Sequence, residues 1–201
     1  MASPIHVGTS GWSYPSWRGG FYPAGADPKT FLSFYARRFD TVELNTTGYR
    51  LPAEEQFARW AEQTPAGFAF AVKMPLTRLD RVGTFVERVQ SLGERLGPLR
   101  ITVQNARDDG LLAFLQGSLP PELHVAYDFR HESWDDVGGI VRVNDSSAEP
   151  FRYIRLREPP YSDEDLHAVA RRLRPPAYVY FRHEEQPTAT ANAERLLQIL
   201  H

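Results

Sequence analysis

The chain has 201 residues, no cysteine and a formal net charge of -2. This length suits a single domain with its own core, and the absence of cysteine excludes disulfide frameworks and thiolate chemistry. Acidic and basic residues are interspersed, which excludes the large basic face that dominates nonspecific nucleic-acid binding.

Eight short apolar runs have the composition of β-strands, and helical patterns separate most of them. This alternation is typical of a parallel sheet with crossover helices. The predicted strands are Ile5–Thr9, Thr41–Leu44, Phe68–Lys73, Arg100–Val103, Leu123–Phe129, Ile140–Asn144, Arg152–Leu156 and Tyr178–Phe181.

Capping residues and prolines mark four helix N-termini between these strands. The signals are Asp27 before Pro28, Pro52 before residues 53–63, Thr84 with Glu87, and Ser162 with Asp165. Apolar residues also repeat at helical spacing over 166–173 and 193–200. Each of these two segments is therefore predicted to bury one stripe against the sheet.

The element order predicts an α/β fold, a parallel (β/α)8 TIM-like barrel over residues 1–201, although such barrels usually need about 250 residues. The links after strands 5 and 6 are too short for a regular crossover helix, and residues 135–139 read Asp-Asp-Val-Gly-Gly. We therefore expect a truncated barrel without helices at these two positions. Its thinly covered flank would be hidden by loop side chains or by formation of a homo-oligomer. An open doubly wound sheet is the alternative.

The loop after the first strand is dense in aromatic and polar side chains. These side chains suit stacking on a flat ligand and hydrogen bonding to it, but the rings could equally fill one end of the barrel. The residues concerned are Ser10, Trp12, Tyr14 and Trp17.

Alternation within the strands places polar side chains on one face and apolar side chains on the other. Because the apolar face must pack against the helices, we expect the polar side chains to point into the barrel. Near the C-terminal strand ends, where barrel enzymes carry their chemistry, these are Glu43, Lys73, Asp128, Arg130, Asn144 and Arg155. The cluster is either a functional site or a buried ion-pair network. We expect a solvated functional site, in which substitution of Glu43 or Lys73 leaves stability nearly unchanged.

Three residues are candidates for acid-base chemistry. Glu43 beside Lys73 suits general acid-base catalysis or a plain salt bridge, and His131 follows a strand at its C-terminal end. Arg130, Arg155 and Arg182 would clamp a phosphate or carboxylate. Because the histidines are dispersed and no phosphate-loop signature occurs, we predict no metal and no nucleotide cofactor.

Several motifs together resemble the barrel proteins known as the domain of unknown function 72 family. They include Gly8-Thr-Ser-Gly-Trp-Ser-Tyr14, Thr41-Val-Glu-Leu-Asn45, Phe129-Arg-His-Glu-Ser-Trp134 and Tyr153-Ile-Arg-Leu156. The resemblance spans nearly the whole chain and implies a TIM-like barrel. Its polar set would be Glu43, Asn45, Tyr49, Lys73, Arg130, His131, Trp134 and Arg155. The chain departs from the family pattern after strands 3, 7 and 8, where Arg78, Arg157-Glu158 and Arg182-His183 stand.

Three functions are consistent with these observations. The first is binding of a small anionic or hydroxylated ligand, such as a sugar phosphate or nucleotide, with hydrolase or isomerase chemistry. The second is a nucleic-acid-binding barrel related to DNA-repair endonuclease barrels, in which Trp12, Trp17 and Tyr49 stack on bases; the net charge predicts that such binding is weak. The third is a binding protein without catalysis. No signal peptide or membrane-spanning run is found, which predicts a cytoplasmic protein without membrane contact.

Overall fold

The computed structural model describes residues 4–201 and has an α/β fold in which all strand pairs are parallel. Its strands are β1 (Ile5–Thr9), β2 (Thr41–Leu44), β3 (Ala69–Met74), β4 (Leu96–Val103), β5 (Val125–Phe129), β6 (Val141–Arg142), β7 (Arg152–Leu156) and β8 (Ala177–Phe181). They form a three-stranded sheet, in the order β1-β8-β7, and a five-stranded sheet, in the order β2-β3-β4-β5-β6. Single parallel bridges join Ser10 to Glu43 and Val143 to Tyr153 at the sheet boundaries.

Every strand except β5 and β6 is followed by an α-helix. The helices are α1 (Phe31–Tyr35), α2 (Glu54–Glu62), α3 (Val82–Gln90), α4 (Asp109–Ser118), α5 (Asp163–Arg172) and α6 (Thr188–Leu200). Over residues 4–201, none of them is long and apolar enough to cross a membrane.

Five strands, β3, β4, β5, β6 and β8, differ from their predicted bounds, and the largest differences are in β4 and β6. β4 begins at Leu96, four residues before the predicted start at Arg100. β6 contains only Val141 and Arg142, because Gly139 and Asn144 on either side adopt positive φ values of 74° and 70° and leave the extended conformation.

The helix N-termini predicted from the sequence agree with the structure only in part. The capping box of Ser162 and Asp165 is confirmed at the start of α5. The predicted N-terminus at Thr84 is wrong, because a 3-10 turn over Leu79–Arg81 leads directly into α3 at Val82. The sequence analysis gave no start signal for α4, whose first turn is capped by the side chain of Asp108.

The link after β5 contains a 3-10 turn, Glu132–Trp134, in place of an α-helix. The Trp134 ring is 1% exposed and stacks on Phe129 at 4.3 Å, while its indole N–H donates to the Asn105 carbonyl at 2.9 Å. Loop side chains therefore cover this flank. Within residues 4–201 the exposed large apolar side chains are Tyr49 and Phe114, which lie elsewhere.

Gly8 allows β1 to lie unusually close to β2. A Cβ atom at this position would stand 2.1 Å from the Thr41 carbonyl oxygen and 2.9 Å from the Tyr35 hydroxyl. The Tyr35 hydroxyl accepts the Thr9 N–H at 2.8 Å and donates to the Thr41 carbonyl at 3.1 Å. This packing fixes the C-terminal end of β1. The segment that follows it, residues 10–17, is called the Ser10 loop.

Candidate functional site

Glu43 on β2 lies at the centre of a buried polar cluster and is 0% exposed. Its Oε2 accepts hydrogen bonds from Arg100 Nε at 2.7 Å and from the Tyr153 hydroxyl at 2.7 Å. Its Oε1 accepts from Arg155 Nε at 2.9 Å and from the Ser10 hydroxyl at 2.9 Å. The carboxylate is thus held by four donors from four different parts of the chain.

Asp128 on β5 is the second buried carboxylate of this cluster. Its Oδ2 accepts from Arg100 Nη1 at 2.9 Å, from Arg130 Nη2 at 3.1 Å and from Arg157 Nη2 at 2.9 Å. Because Arg100 contacts both Glu43 and Asp128, it joins the two carboxylates into one network. We call this network the carboxylate–arginine cluster; its members are Ser10, Glu43, Arg100, Asp128, Arg130, Tyr153, Arg155 and Arg157.

Strand alternation explains why these residues meet. Arg100, Asp128 and Arg155 lie on β4, β5 and β7, each with its side chain on the same face as its cluster partners. Ser10, Arg130 and Arg157 follow the C-terminal ends of their strands. Four guanidinium groups oppose two carboxylates, so the cluster carries an excess of two positive charges.

The electrostatics keep Glu43 ionised. Burial alone would raise its pKa, but the charges of Arg100 and Arg155 and the bonds from Tyr153 and Ser10 lower the pKa to about 2. Such a carboxylate is a poor proton acceptor near neutral pH, because a general base works best with a pKa near the working pH. Burial and the Glu43 charge raise the pKa of Tyr153 well above its ordinary value.

Two of the predicted site residues, Asn45 and Asn144, bond to arginines of the cluster. Asn45 Oδ1 accepts from Arg100 Nη2 at 3.0 Å. Asn144 takes a positive φ of 70°, and its Oδ1 accepts the backbone N–H of Arg155 at 2.7 Å. Both amides therefore position arginines of the cluster.

The expected pair of Glu43 and Lys73 is wrong. Glu43 is paired with arginines, and within residues 4–201 Lys73 has no carboxylate within ion-pair distance. The Lys73 ammonium lies 4.9 Å from the ring centre of Tyr49, which is 85% exposed, and its stem passes close to Gly48. Burial and the nearby charge of Arg100 lower the pKa of Lys73. The expectation of an open cluster is also wrong for Glu43 and for Asp128, which is 3% exposed.

His131 and Arg182 lie outside the cluster. His131 is exposed, and its Nδ1 accepts the Ser133 backbone N–H at 3.2 Å, so it caps the 3-10 turn after β5. Arg182 is exposed after β8 and makes no ion pair among the described residues. The structure therefore does not bring either residue to Glu43.

The predicted aromatic ligand contacts divide into two groups. Trp17 is 0% exposed and Trp134 is 1% exposed, so the expectation that they contact a ligand is wrong and they belong to the core. Tyr14 is half-buried, stacks on His183 at 4.6 Å and donates its hydroxyl to the Ser10 carbonyl at 2.7 Å. Burial and the Glu43 charge raise the pKa of Tyr14 to about 12. Trp12, 9% exposed, lines a cleft described below.

Two clefts open beside the cluster. The arginine cleft, of about 600 Å³, is lined by Arg130, Asn144, Arg155 and Arg157 together with residues of α5. The aromatic cleft, of about 920 Å³, lies between the Ser10 loop, the end of β2 and α2. The two clefts share no lining residue.

Arg157 carries an unmet hydrogen-bonding group in the arginine cleft. Its Nη2 donates to Asp128, but its Nε is buried and has no hydrogen-bond partner among residues 4–201. A buried donor without an acceptor costs free energy, so a rearrangement of the cleft that let an anion reach the Nε would be favoured. Burial, together with the surrounding arginines, also lowers the pKa of Arg157.

Arg100, Arg157 and Tyr153 belong to the cluster but were not predicted as site residues from the sequence. The predicted strand began at Arg100. At the first residue of a strand, the sequence does not determine on which face of the sheet the side chain lies. The observed start of β4 at Leu96 places it inside the strand, so that Arg100 and Thr102 alternate onto the cluster face. Arg157 was noted only as a departure from a family pattern.

The clustered guanidinium groups are chemically suited to contact anions. No group of three or more histidine, aspartate or glutamate side chains in residues 4–201 is arranged to hold a metal ion. Guanidinium groups in a water-poor cleft bind phosphate and carboxylate through paired hydrogen bonds.

The chain is similar to several known proteins. A model of the family described as "Protein of unknown function DUF72" matches residues 6–201. The UPF0759 protein YecE, from Escherichia coli K12 and from O157:H7, is 34% identical over 140 residues. This match covers 63% of the chain and 48% of each relative, so the chain spans about half the length of these curated relatives.

Two crystal structures of a DUF72 family protein from Enterococcus faecalis V583 also resemble the chain. Their TM-scores are 0.80 and 0.73 at 15% sequence identity. The alignments cover 98% of this chain and 95% and 98% of those chains. At this identity the similarity shows a shared fold.

Proposed function

The chain belongs to the DUF72 family, and we propose that it binds a small anionic, hydroxylated ligand of the sugar-phosphate class in the arginine cleft. The observation that carries this proposal is the excess of positive charge in the carboxylate–arginine cluster, together with the unpartnered Nε of Arg157. Arg130 and Arg157 each donate to Asp128 through Nη2 alone, so their remaining N–H groups provide capacity for a ligand oxygen.

The proposal includes a closed eight-stranded barrel around the cluster. Its support is the pair of parallel bridges at the two sheet boundaries, Ser10 to Glu43 and Val143 to Tyr153. Contacts of Glu43 with residues of β4 and β7 are consistent with strands that face one another across a barrel interior. The arginine cleft would then lie at the C-terminal end, where barrel enzymes bind substrates.

If the protein also catalyses a reaction, Lys73 is a candidate for proton transfer, although it does not line the arginine cleft. Its amine is half-buried, has a lowered pKa and makes no ion pair among residues 4–201. Glu43 would act as a positioning residue that orients Arg100 and Arg155, and His131 would have no part in the step. The nucleic-acid alternative loses support, because the buried Trp17 cannot stack on an exposed base.

Isothermal titration with inorganic phosphate and with ribose 5-phosphate tests the binding proposal. Arg157→Gln should weaken both affinities by about tenfold or more, because hydrogen bonds to charged groups contribute most to such sites. Arg171→Gln is the matched control, since Arg171 is exposed on α5 and lies outside both clefts. Equal affinities in wild type, Arg157→Gln and Arg171→Gln would contradict the proposal.

A further inference from the structure

The aromatic cleft has a rigid ring wall that includes a residue not singled out from the sequence. Trp60 on α2 is half-buried and meets Trp12 edge to face, with ring centres 5.2 Å apart and planes at 90°. Its ring also lies over Phe70 at 6.4 Å with planes 24° apart. These contacts hold the indole in place while part of it faces the cleft, as a stacking platform requires.

Among residues 4–201, the charged side chains that line the aromatic cleft are all positive. Three cationic residues, Lys29, Arg50 and Arg59, line it, and no aspartate or glutamate does. All three cations are exposed at the rim. An anionic group of a ligand would therefore bind at the edge of the cleft, while an uncharged body would lie against the rings.

The cleft also presents amide groups at fixed orientations. Asn45 Oδ1 is held by Arg100, which leaves its amide N–H group as the donor for the cleft. Gln56 Oε1 accepts from Arg59 Nη2 at 3.0 Å, which likewise leaves its amide N–H group as a donor. Amide side chains are common partners for the hydrogen-bonding edges of nucleobases.

We propose that the aromatic cleft is a second binding site, which takes a nucleoside monophosphate. The base stacks on Trp60, Asn45 and Gln56 contact the base edge, and the rim cations bind the phosphate. A sugar phosphate lacks the flat ring that would use the Trp60 wall. The site shares no lining residue with the arginine cleft and does not depend on the function proposed there.

Fluorescence titration with adenosine 5′-monophosphate tests the site. The nucleotide should quench tryptophan emission in the wild type, whereas ribose 5-phosphate should not. Trp60→Leu should weaken nucleotide binding by about tenfold or more, in line with the contribution of one base stacked on an aromatic ring. Trp60→Phe retains an aromatic platform and the core contacts, so it should keep most of the affinity.

A second set of variants separates charge from stacking and from folding. The combined variant K29Q, R50Q changes only exposed rim residues, keeps Arg59 to orient Gln56, and should weaken nucleotide binding while neutral adenosine binds as before. Phosphate binding in the arginine cleft should be unchanged by Trp60→Leu and weakened by about tenfold or more in Arg157→Gln. Quenching that is absent in the wild type, or equal in the wild type and Trp60→Leu, would overturn the proposal. Binding of oligodeoxythymidine without the mononucleotide would also overturn it.

Discussion

Glu43→Gln gives the sharpest test of how the buried cluster is held together. The substitution keeps the side-chain shape but removes the charge that Arg100 and Arg155 contact at 2.7 Å and 2.9 Å. Both guanidinium groups are at least nine-tenths buried and would face a neutral amide. Breaking a buried ion pair from one side costs about 3–5 kcal/mol, and we expect a loss of this size at pH 7.

The pH dependence of this loss is fixed by the direction of the pKa shift. The pKa of Glu43 falls on folding from its ordinary value of 4.5 to about 2. The stabilisation is therefore fully present above pH 4.5 and decreases as the pH falls toward 2. The difference in unfolding free energy between the wild type and Glu43→Gln should shrink over the same interval.

Urea unfolding followed by circular dichroism at several pH values measures this difference. At neutral pH we also expect the melting temperature of Glu43→Gln to fall by roughly 10 °C for a domain of this size. Asp80→Asn is the control, because Asp80 pairs with Arg78 at the surface, where such pairs contribute little. A stability of Glu43→Gln within about 1 kcal/mol of wild type at neutral pH would refute the assigned network.

The other predictions concern parts of the fold that position the site. Lys73→Met should change the unfolding free energy by less than about 1 kcal/mol, because no ion pair is lost; a urea titration measures this. Gly8→Ala should destabilise the chain by about 3 kcal/mol in the same assay, since its Cβ would collide with the Thr41 carbonyl, and a smaller cost would mean that β1 can move. Ser162→Ala should cost about 1 kcal/mol through loss of the α5 cap, with faster amide exchange in its first turn.

Strand positions and the polar strand face were largely predictable, because alternation and β-branched runs are local signals. Glu43, Asp128, Arg130 and Arg155 were named from alternation alone, and the structure places all four in one network. Partner choice was not predictable, because it depends on which side chains face each other across strands. Lys73 and Arg100 occupy paired positions on β3 and β4, yet the guanidinium reaches Glu43 and the ammonium does not.

It was also not possible to predict from the sequence which individual aromatic rings are buried. Trp12, Trp17 and Tyr14 lie within six residues, and sequence could not tell which ring faces the core and which faces a cleft. The N-terminus of helix α4 was not predicted, because one capping residue, Asp108, precedes a short apolar run without other signals.

Asp128 Oδ2 accepts hydrogen bonds from three arginines. It would therefore compete with any anionic ligand of the arginine cleft for these N–H donors. An incoming anion must displace, or share donors with, a carboxylate that is tethered at high local concentration. A monatomic anion such as chloride offers no advantage over that oxygen, whereas a phosphate spans two guanidinium groups at once. At the proposed anion site, the same contact that pre-arranges the arginines would thus select ligands by the number and spacing of their oxygens.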